Sequence, residues 1–414
     1  MTDSKKTASV LGIGRVGLPL CLILAEEGYK VFGIDVREDY VQKIARAEMP
    51  FMEENAAELL KRHVNKNFFP TTDTEKVKES EYIVLTLGTP VDEHLNPDYR
   101  QIDSAIRDLT KQLKKGQTII LRSTVAPGTT EHLKDIIEKE TGIIIGKEIF
   151  LAFCPERIAQ GKAIEETKEI PQIIGGIDAE STKRAAEFFK PFTREQIETD
   201  ARSAELAKIF TNMYRYVNFS IANEFMILAE EHQRDIHEII HLINHNYKRG
   251  GVKQPGYTAG PCLYKDGFFL INTMPFNELI SVSWKINETT PLYLLKKVKE
   301  RMELKNKRVA LLGMSFKADN DDTRNSLSFK IKKALAMENA AVECHDPYVQ
   351  EFNGKRVEEV LRGAELVIIA MNHSPYKKLS LEKIKGLVKK NCIVCDVWNM
   401  FGKNKIIYKV SEAK

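Results

Sequence analysis

The first part of the chain alternates short apolar runs with longer segments of helical period. Residues 7–11 form an apolar run that leads into a glycine-rich turn, residues 18–27 follow a helical pattern, and residues 30–34 form a second apolar run. Short apolar runs bounded by turn residues are typical of buried strands, and longer periodic segments are typical of helices. We therefore predict a strand, a helix and a second strand over this stretch.

Apolar runs of the same kind recur further along, at residues 81–87, 117–122, 149–153 and 172–176. Strands that alternate with helices over about two hundred residues predict a doubly wound parallel sheet. Ligands bind at the carboxyl ends of the strands of such a sheet, so the turns at Thr89 and at Ser123-Thr124 are candidate contacts. Ordinary turn chemistry is the alternative explanation for each.

The pattern changes after residue 200. Residues 203–230 form one long helical run without Pro or Gly, residues 235–246 form a second, and helices resume through about residue 302. Strand and helix signals then return at residues 308–312, 326–337, 365–370 and 392–397. We predict an α/β protein in which two Rossmann-like doubly wound parallel sheets are joined by a central helical domain with one long helix. The predicted domains are residues 1–200, 201–303 and 304–414.

Composition narrows the class of protein. The 414 residues exceed one ordinary core, and a formal charge of +4 from 62 basic and 58 acidic residues gives no reason to expect nucleic acid as a partner. No apolar stretch reaches transmembrane length, and residues 1–6 lack the apolar region of a signal peptide. The six cysteines are scattered, and Cys392 and Cys395 lack partners for zinc, so we expect a reducing cytoplasm and no metal.

The glycine turn after the first run carries candidate chemistry. Its glycines permit a tight turn and the close approach of a pyrophosphate to a helix N-terminus. Asp35 ends the second run, where a carboxylate binds two ribose hydroxyls and repels a 2′-phosphate, which favours NAD over NADP. The expected NAD contacts in this region are Gly12, Gly14, Arg15, Val16, Gly17 and Asp35.

A thiol lies among small residues between positions 256 and 266. Cys262 follows Gly260-Pro261, and Lys265 and Asp266 follow it. A neighbouring ammonium favours the thiolate, which is the nucleophilic form. A buried structural cysteine is the alternative reading. Two further pairs of polar residues have candidate roles. Lys208 and Asn212 lie one helical turn apart, and Lys317 and Arg324 suit phosphates, although surface charge explains them too.

These motifs together resemble the nucleotide-sugar 6-dehydrogenase family, which comprises UDP-glucose, GDP-mannose and UDP-N-acetylhexosamine dehydrogenases. The resemblance covers essentially the whole chain. It rests on five motifs in order, and Phe316-Lys317 and Arg324 extend it: Gly12-x-Gly14-x-x-Gly17, Ser123-Thr124-Val125, Pro155-Glu156-Arg157, Lys208-x-x-x-Asn212, and Gly260-x-Cys262 with Asp266.

The resemblance implies a four-electron oxidation by two NAD⁺, in which a sugar C6 alcohol becomes a carboxylate through an aldehyde and a thioester on the cysteine. Cys262 is the implied nucleophile and Lys208 the implied oxyanion partner. The resemblance implies that Asn212 helps to bind the oxyanion and that Asp266 transfers protons and helps to activate the hydrolytic water. Thr124 and Glu156 are implied water or proton partners.

The same resemblance implies ligand contacts and an assembly. The implied cofactor contacts outside the glycine turn are Thr89, Thr124 and Arg324, and the implied substrate contacts are Glu156, Arg157, Lys208, Asn212, Arg249, Gly260, Phe316 and Lys317. Residues 1–200 then correspond to an NAD-binding domain and residues 304–414 to a UDP-sugar-binding domain. Members of the family are usually homodimers built on the central helix.

Two motifs resemble different branches of the family, which act on different sugars. Cys154-Pro155-Glu156-Arg157 is similar to the N-acetylhexosamine branch, particularly UDP-N-acetylmannosamine dehydrogenases, whereas Lys265-Asp266 is similar to the UDP-glucose branch. We expect a UDP-N-acetylhexosamine substrate, with UDP-glucose as the alternative. A two-electron dehydrogenase of the hydroxyacid type and a non-enzymatic nucleotide-sugar sensor are more distant alternatives.

Overall fold

The structure is a computed structural model that describes residues 6–93, 96–271, 278–403 and 405–412. These residues form two compact units. The first unit holds residues 6–211 and 268–271, and the second holds residues 212–267 and the described part of 278–412. The chain start and the helical continuation predicted across 272–277 lie outside the described residues.

The first unit is built on a sheet of eight described strands, ordered β3-β2-β1-β4-β5-β6-β7-β8. All neighbouring strands are parallel except β6 and β7. Their bounds are β1 Thr7–Leu11, β2 Lys30–Ile34, β3 Phe68–Thr71, β4 Tyr82–Leu85, β5 Thr118–Leu121, β6 Phe150–Phe153, β7 Gln172–Gly176 and β8 Gln196–Asp200.

Helices supply the apolar side chains that cover this sheet. One buried cluster contains Leu18 and Leu22, and another contains Ile102, Ile106 and Leu133. Their burial explains the helical periods seen in the sequence. The helices are α1 Gly17–Glu26, α2 Glu38–Ala45, α3 Ala56–His63, α4 Arg100–Thr110, α5 Thr129–Thr141, α6 Ala163–Glu169 and α7 Ala179–Phe189, with a 3₁₀ turn at Thr74–Glu79.

The long helix α8 spans Ala201–Glu231 and confirms the helix predicted over 203–230. It begins in the first unit and continues into the second, the boundary falling after Thr211. The side chain of Asp200 caps its start by accepting from the Ser203 backbone N–H at 2.9 Å. Among the described residues, no helix has both the length and the apolar character needed to cross a membrane.

The second unit contains a sheet of five described strands, ordered β10-β9-β11-β12-β13, parallel except between β12 and β13. Its strands are β9 Arg308–Leu312, β10 Ala341–His345, β11 Leu366–Ile369, β12 Ile393–Cys395 and β13 Ile407–Lys409. The remaining helices, of which α11 belongs to the first unit, are α9 Ile236–Asn244, α10 Leu263–Asp266, α11 Phe268–Ile271, α12 Glu278–Lys299, α13 Leu327–Met337, α14 Val357–Leu361 and α15 Leu381–Leu387. Two 3₁₀ turns lie at Gln350–Phe352 and Ser374–Lys378.

The predicted fold class is confirmed, but the sheets are not wholly parallel and contain strands that the pattern missed. The strand β3 contains Pro70, which lacks a ladder donor and is tolerated because β3 is an edge strand. The strand β8 is polar and mostly exposed, and it also lies at an edge. Edge strands pair on one side only, so they need no continuous apolar run.

The glycine turn between β1 and α1 is sterically defined by its neighbours. Gly12 has a φ of +91°, a left-handed conformation that favours glycine. A Cβ on Gly17 would lie 2.1 Å from the Gly12 carbonyl oxygen, which is backbone and cannot move aside easily. A Cβ on Gly14 would meet nothing within 4 Å. Gly17 is therefore required by packing, whereas Gly14 faces open space.

We predict that Gly17→Ala destabilises the protein by about 1–3 kcal/mol or more, because the added methyl overlaps backbone. Gly14→Ala is the matched control and should leave the free energy of unfolding within about 0.5 kcal/mol of the parent. Chemical denaturation of both variants without ligand measures the difference. Equal stability of the two variants would contradict this description of the turn.

Candidate active site

The open side of the glycine turn fits a dinucleotide. Gly14 leaves space for close backbone approach, and the helix α1 begins directly after the turn at Gly17. The Arg15 guanidinium lies 4.9 Å from the centre of the Phe51 ring. The Thr86 hydroxyl, just after β4, donates to the Leu11 carbonyl at 3.0 Å and ties the two strand ends together. The open space at Gly14 and the helix start at Gly17 are what a pyrophosphate at a helix N-terminus requires.

Asp35 lies directly after β2, where the ribose carboxylate was predicted. Its Oδ1 accepts from the Arg37 backbone N–H at 3.1 Å and from Arg37 Nε at 3.3 Å. The Arg37 guanidinium in turn stacks on Tyr40, 3.9 Å from the ring centre. The carboxylate is thus held in one orientation at the sheet edge. The residues present fit the nicotinamide dinucleotide that the sequence predicts.

Two predicted ligand residues at neighbouring strand ends are joined directly. The Thr89 hydroxyl donates a hydrogen bond to the Thr124 carbonyl oxygen. Thr89 follows β4 and Thr124 follows β5, and these strands are parallel neighbours. The contact orders the two loops at one edge of the sheet, where open α/β sheets bind ligands.

Glu156 and Lys208 also meet in the first unit. The Lys208 ammonium on α8 donates to the backbone carbonyl of Glu156. The carboxylate of Glu156 makes different contacts, since it pairs with the Arg122 guanidinium. Burial alone raises the pKa of Glu156, but the charge of Arg122 and hydrogen bonds within the loop outweigh it and hold the pKa below its usual range. Glu156 is therefore a carboxylate at neutral pH.

The turn that follows Thr124 is held by a carboxylate of α8, that of Glu205. The fully buried Glu205 accepts from the Gly128 backbone N–H at 2.6 Å and from the Thr130 backbone N–H at 2.8 Å. Both donors lie at the start of α5, whose first N–H groups have no partner within the helix. Glu205 thereby anchors this turn one helical turn before Lys208. Sequence reasoning did not single out this residue.

In the second unit, Asn212 and Asp266 form a buried pair. The Asn212 side-chain amide donates to Asp266 Oδ2 at 2.7 Å, and Asp266 is fully buried. The Lys265 ammonium lies 3.5 Å from Asp266 Oδ1. The amide and the ammonium thus approach different oxygens of one buried carboxylate. The two residues predicted to assist chemistry at Cys262 are thus in direct contact.

Cys262 differs from the other cysteines in its exposure. It is exposed at the start of α10, whereas Cys21, Cys154, Cys392 and Cys395 are buried and Cys344 is partly buried; the described residues include all six. Burial raises the pKa of the thiols of Cys154, Cys392 and Cys395 to about 12. Those thiols are neutral and unreactive at neutral pH. An accessible thiol is the form that a nucleophile needs.

The loop before Cys262 is held by amide side chains. The fully buried Asn223 on α8 donates to the Gly256 carbonyl at 3.1 Å and accepts from the Gly256 N–H at 2.9 Å. Asn287 on α12 accepts from Asn223 at 2.9 Å. Asn223 therefore pairs with the loop backbone as a neighbouring strand would, and it fixes the start of the segment that leads to Cys262.

Gly260 lies against the predicted nucleotide loop. Its φ is +112°, and a Cβ there would lie 2.7 Å from the Phe316 ring. Phe316 belongs to a loop after β9 that includes the partly buried Lys317. Arg324 ends the loop and donates to Asp322 through Nε at 3.0 Å and through a terminal nitrogen at 2.7 Å. The structure thus brings Gly260 and Phe316 together.

A buried carboxylate and imidazole support the same loop. Asp346 Oδ2 accepts from the Met314 and Ser315 backbone N–H groups at 2.6 and 3.0 Å, and lies 3.0 Å from His373 Nε2. His373 Nδ1 accepts from the Asp319 N–H at 3.0 Å, so Nε2 carries the proton that Asp346 accepts. This network sets the course of the backbone around Lys317.

The guanidinium groups of two predicted substrate contacts bind other partners. The Arg157 guanidinium donates to the Pro171 carbonyl within the first unit. Arg249 is exposed beyond α9, and its guanidinium stacks over Tyr247 at 5.2 Å. Neither contact involves another predicted site residue. The described residues hold no group of three or more His, Cys, Asp or Glu arranged for a metal ion.

Arg122 is a functional candidate that sequence reasoning passed over as the end of a strand. It is 1% exposed and follows the apolar strand β5. A charged side chain inside an apolar run needs a buried partner, and that signal was present in the sequence. The identity of the partner was not, because Glu156 lies 34 residues further on.

The chain is similar to one family of known proteins in three consecutive parts. The sequence profile of the UDP-glucose/GDP-mannose dehydrogenase family matches in three parts: the NAD binding domain over residues 6–193, the central domain over 202–289 and the UDP binding domain over 310–403. The three matched parts follow one another along the chain without overlap.

Individual relatives are similar over nearly their whole length. A UDP-N-acetyl-D-mannosamine dehydrogenase of Methanocaldococcus jannaschii is 31% identical, over 96% of this chain and 93% of that protein. The structure of a UDP-D-ManNAc dehydrogenase from Pyrococcus horikoshii superimposes with a TM-score of 0.87 at 30% identity, covering 92% and 93% of the two chains. The UDP-N-acetyl-mannosamine dehydrogenase Cap5O from Staphylococcus aureus gives 0.86 at 29% identity, covering 96% and 95%.

We predict that Asp35→Ala weakens NAD binding by about 1–3 kcal/mol, because it removes charge-assisted bonds to the ribose. Asp135→Ala, which removes an exposed carboxylate from α5 of the same unit, is the matched control and should bind NAD as the parent does. Calorimetric titration with NAD measures both affinities. Equal affinity of the two variants would remove Asp35 from the cofactor site.

Proposed function

We propose, from the premise that this chain belongs to the UDP-glucose/GDP-mannose dehydrogenase family, that its substrate is UDP-N-acetyl-D-mannosamine. Family membership makes the protein an NAD-dependent oxidoreductase that acts on a nucleotide sugar. The choice of sugar is supported by whole-length relatives named for that substrate. The Cys154-Pro155-Glu156-Arg157 sequence supports the same branch.

The exposed thiol of Cys262 carries the proposed chemistry. The glycine turn and Asp35 would hold NAD⁺, which would supply the hydride acceptor for both oxidations. The thiol adds to the C6 aldehyde: a C–S bond forms, and the thiol proton passes to the aldehyde oxygen. This adduct gives C6 the tetrahedral geometry from which a second hydride can leave. As it leaves, the hydroxyl proton of the adduct passes to solvent, and the product is a thioester. Water then breaks the C–S bond, which releases the carboxylate and returns Cys262 as a thiol.

Charged and amide groups assist these steps. The Lys208 ammonium stabilises negative charge that develops on the C6 oxygen, and Asn212 adds a hydrogen-bond donor. The Asp266 carboxylate, oriented by Asn212 at 2.7 Å, receives a proton from the attacking water. Thr124 orients water or substrate near the cofactor loop, and Glu156 organises the segment that receives Lys208.

The nucleotide half of the substrate suits the second sheet. Lys317 supplies a cation for the diphosphate and Phe316 an aromatic contact, while Gly260 lets the backbone approach closely. Arg324 contributes a cation to the cofactor pyrophosphate. In this division residues 1–200 bind NAD, 201–303 carry the catalytic helix and cysteine, and 304–414 bind the UDP-sugar. Arg157 and Arg249 complete the proposed substrate contacts.

An apolar surface on the long helix supports a homodimer. Tyr214, Ile221 and Leu228 recur at helical spacing on α8 and are 72%, 38% and 53% exposed, and Leu279 and Val282 on α12 are 67% and 50% exposed. Exposed apolar side chains that share one face of a helix are typical of protein interfaces. A second copy of this chain is the proposed partner, and the cytoplasm is the proposed compartment.

Sedimentation of the purified protein should give twice the chain mass of 47.2 kDa.

The substrate test is NADH formation by the purified protein with UDP-N-acetylmannosamine, UDP-N-acetylglucosamine and UDP-glucose. The expected outcome is the highest kcat/KM with the first sugar and two NADH per sugar oxidised. A preference for UDP-glucose would replace the proposed substrate within the same family. One NADH per sugar would favour the two-electron dehydrogenase. Tight sugar binding without any NADH would favour a sensor.

We predict that Cys262→Ser lowers kcat by at least about a hundredfold, because a serine forms an ester rather than a labile thioester. NAD affinity should stay at the parent value, since the glycine turn is unchanged. Cys344→Ser, which alters the partly buried thiol on β10, is the control and should retain kcat. Steady-state kinetics decides, and full turnover by Cys262→Ser would exclude the covalent mechanism.

A further inference from the structure

Arg122 is a buried cation with several partners in the first unit. Its guanidinium donates to Glu156 Oε2, to Gln172 Oε1 at 3.1 Å and to the Cys154 carbonyl at 3.5 Å. It also lies 5.1 Å from the centre of the Phe189 ring. A buried charge is tolerated only when it is paired and hydrogen-bonded in this way. The pairing therefore constrains the loop that carries Glu156.

The Glu156 carboxylate is directed into its own loop. Its Oε1 accepts from the Arg157 backbone N–H at 2.7 Å and from the Ile158 backbone N–H at 2.9 Å, while Oε2 accepts from Arg122. The Lys208 ammonium is bound by the backbone carbonyl of Glu156. One residue thus uses its side chain to shape the loop and its carbonyl to receive the lysine. The orientation of that carbonyl depends on the side-chain bonds.

We propose that Arg122 is a positioning residue: by pairing with the Glu156 carboxylate, it holds the Glu156 carbonyl where it receives the Lys208 ammonium. The proposal rests on the proposed function, in which Lys208 stabilises charge on the reacting oxygen. It assigns the Glu156 side chain to loop geometry, with the carboxylate kept ionised by Arg122. Arg122 itself touches neither substrate nor cofactor in this role.

The charged groups that face Glu156 determine how pH reports on the pair. They are Arg122 after β5, Lys208 on α8 and Arg157 in the same loop. The Cys154 thiol is neutral because burial raises its pKa to about 12. Without Arg122, two of the interactions that lower the pKa of Glu156 are lost while burial still raises it, so we expect this pKa to rise. A protonated carboxyl accepts fewer N–H bonds, so the loop and the carbonyl that binds Lys208 lose their fixed orientation.

The kinetic test compares Arg122→Met with the parent across pH, with UDP-N-acetylmannosamine and NAD. Arg122→Met should lower kcat about tenfold or more and change KM for the sugar less than threefold, because Lys208 acts on charge in the transition state. The acid limb of kcat should move up by at least one pH unit. Arg122→Lys retains the charge and should recover part of both effects.

Arg184→Met is the matched control. Arg184 also stacks on a phenylalanine, with its guanidinium 4.7 Å from the centre of the Phe150 ring, and it also pairs with a glutamate, Glu180, at 3.1 Å. Arg184 is partly exposed on α7, and the proposal gives it no role in holding Glu156. Its replacement should change neither kcat nor the position of the acid limb.

A stability measurement tests the pair without turnover. In the parent, the pKa of Glu156 is lower in the folded protein than in the unfolded chain. The ionised carboxylate therefore stabilises the fold at a pH above the unfolded pKa, and this stability is lost as pH falls through the folded pKa. In Arg122→Met the pKa is raised, so the sign reverses. The Tm of Arg122→Met relative to the double variant with Glu156→Gln should fall as pH rises from about 4 to about 8. The parent relative to Glu156→Gln should show no such fall.

The outcomes separate this inference from the proposed function. If the parent forms no NADH from any sugar, the proposed function fails, while the Tm comparison still decides whether Arg122 keeps Glu156 ionised. If the parent is active and Arg122→Met matches it in kcat and acid limb, the positioning role is overturned. A fall in kcat with an unmoved acid limb and no reversal of the Tm trend would also overturn it, because it would leave only general loss of packing.

Discussion

The protein depends on hydrogen bonds between polar side chains that are buried or partly buried along α8 and partners outside this helix. A buried polar group without a partner is costly, so each one selects a segment of chain to bind. Glu205 binds the N–H groups that start α5, Lys208 binds the Glu156 carbonyl, Asn212 binds Asp266, and Asn223 binds Gly256. The residues bound are loop and helix-end segments that the two sheets do not hold by themselves.

These hydrogen bonds explain how the segments that carry predicted site residues are held although they lack regular structure. Residues 255–259 before Cys262 are neither helix nor strand. Their backbone groups have no ladder to join, and at Gly256 the side-chain amide of Asn223 replaces the missing strand. The same logic recurs in the second sheet, where Asp346 and His373 hold the loop around Ser315. Flexible substrates and cofactors can then meet donors and acceptors whose positions are already set.

Charge pairing adds a second kind of order. Arg122 and Glu156 are both removed from bulk water, and burial alone would raise the pKa of the carboxylate. The attraction to Arg122 and the hydrogen bonds within the loop together outweigh that burial. Such a pair gains little net stability compared with apolar residues, yet losing one partner is expensive. Its persistence at the end of β5, beside loops with predicted ligand contacts, is better explained by the geometry it imposes than by stability. Exposed pairs elsewhere, such as Arg184 with Glu180, carry no comparable constraint.

The sequence by itself determined the elements whose signals are local: the strand, glycine turn and helix from Thr7 to Glu26, the acid at Asp35, the long helix and the fold class. Hydrophobic period and glycine sterics act between near neighbours, so they can be read without a fold. Only the tertiary structure decided the edge strands β3 and β8, the antiparallel β7, and the partners of Arg122, Glu205 and Asn223. Those choices depend on which distant groups meet after burial, and a hydrogen bond formed across many residues leaves no period in the chain.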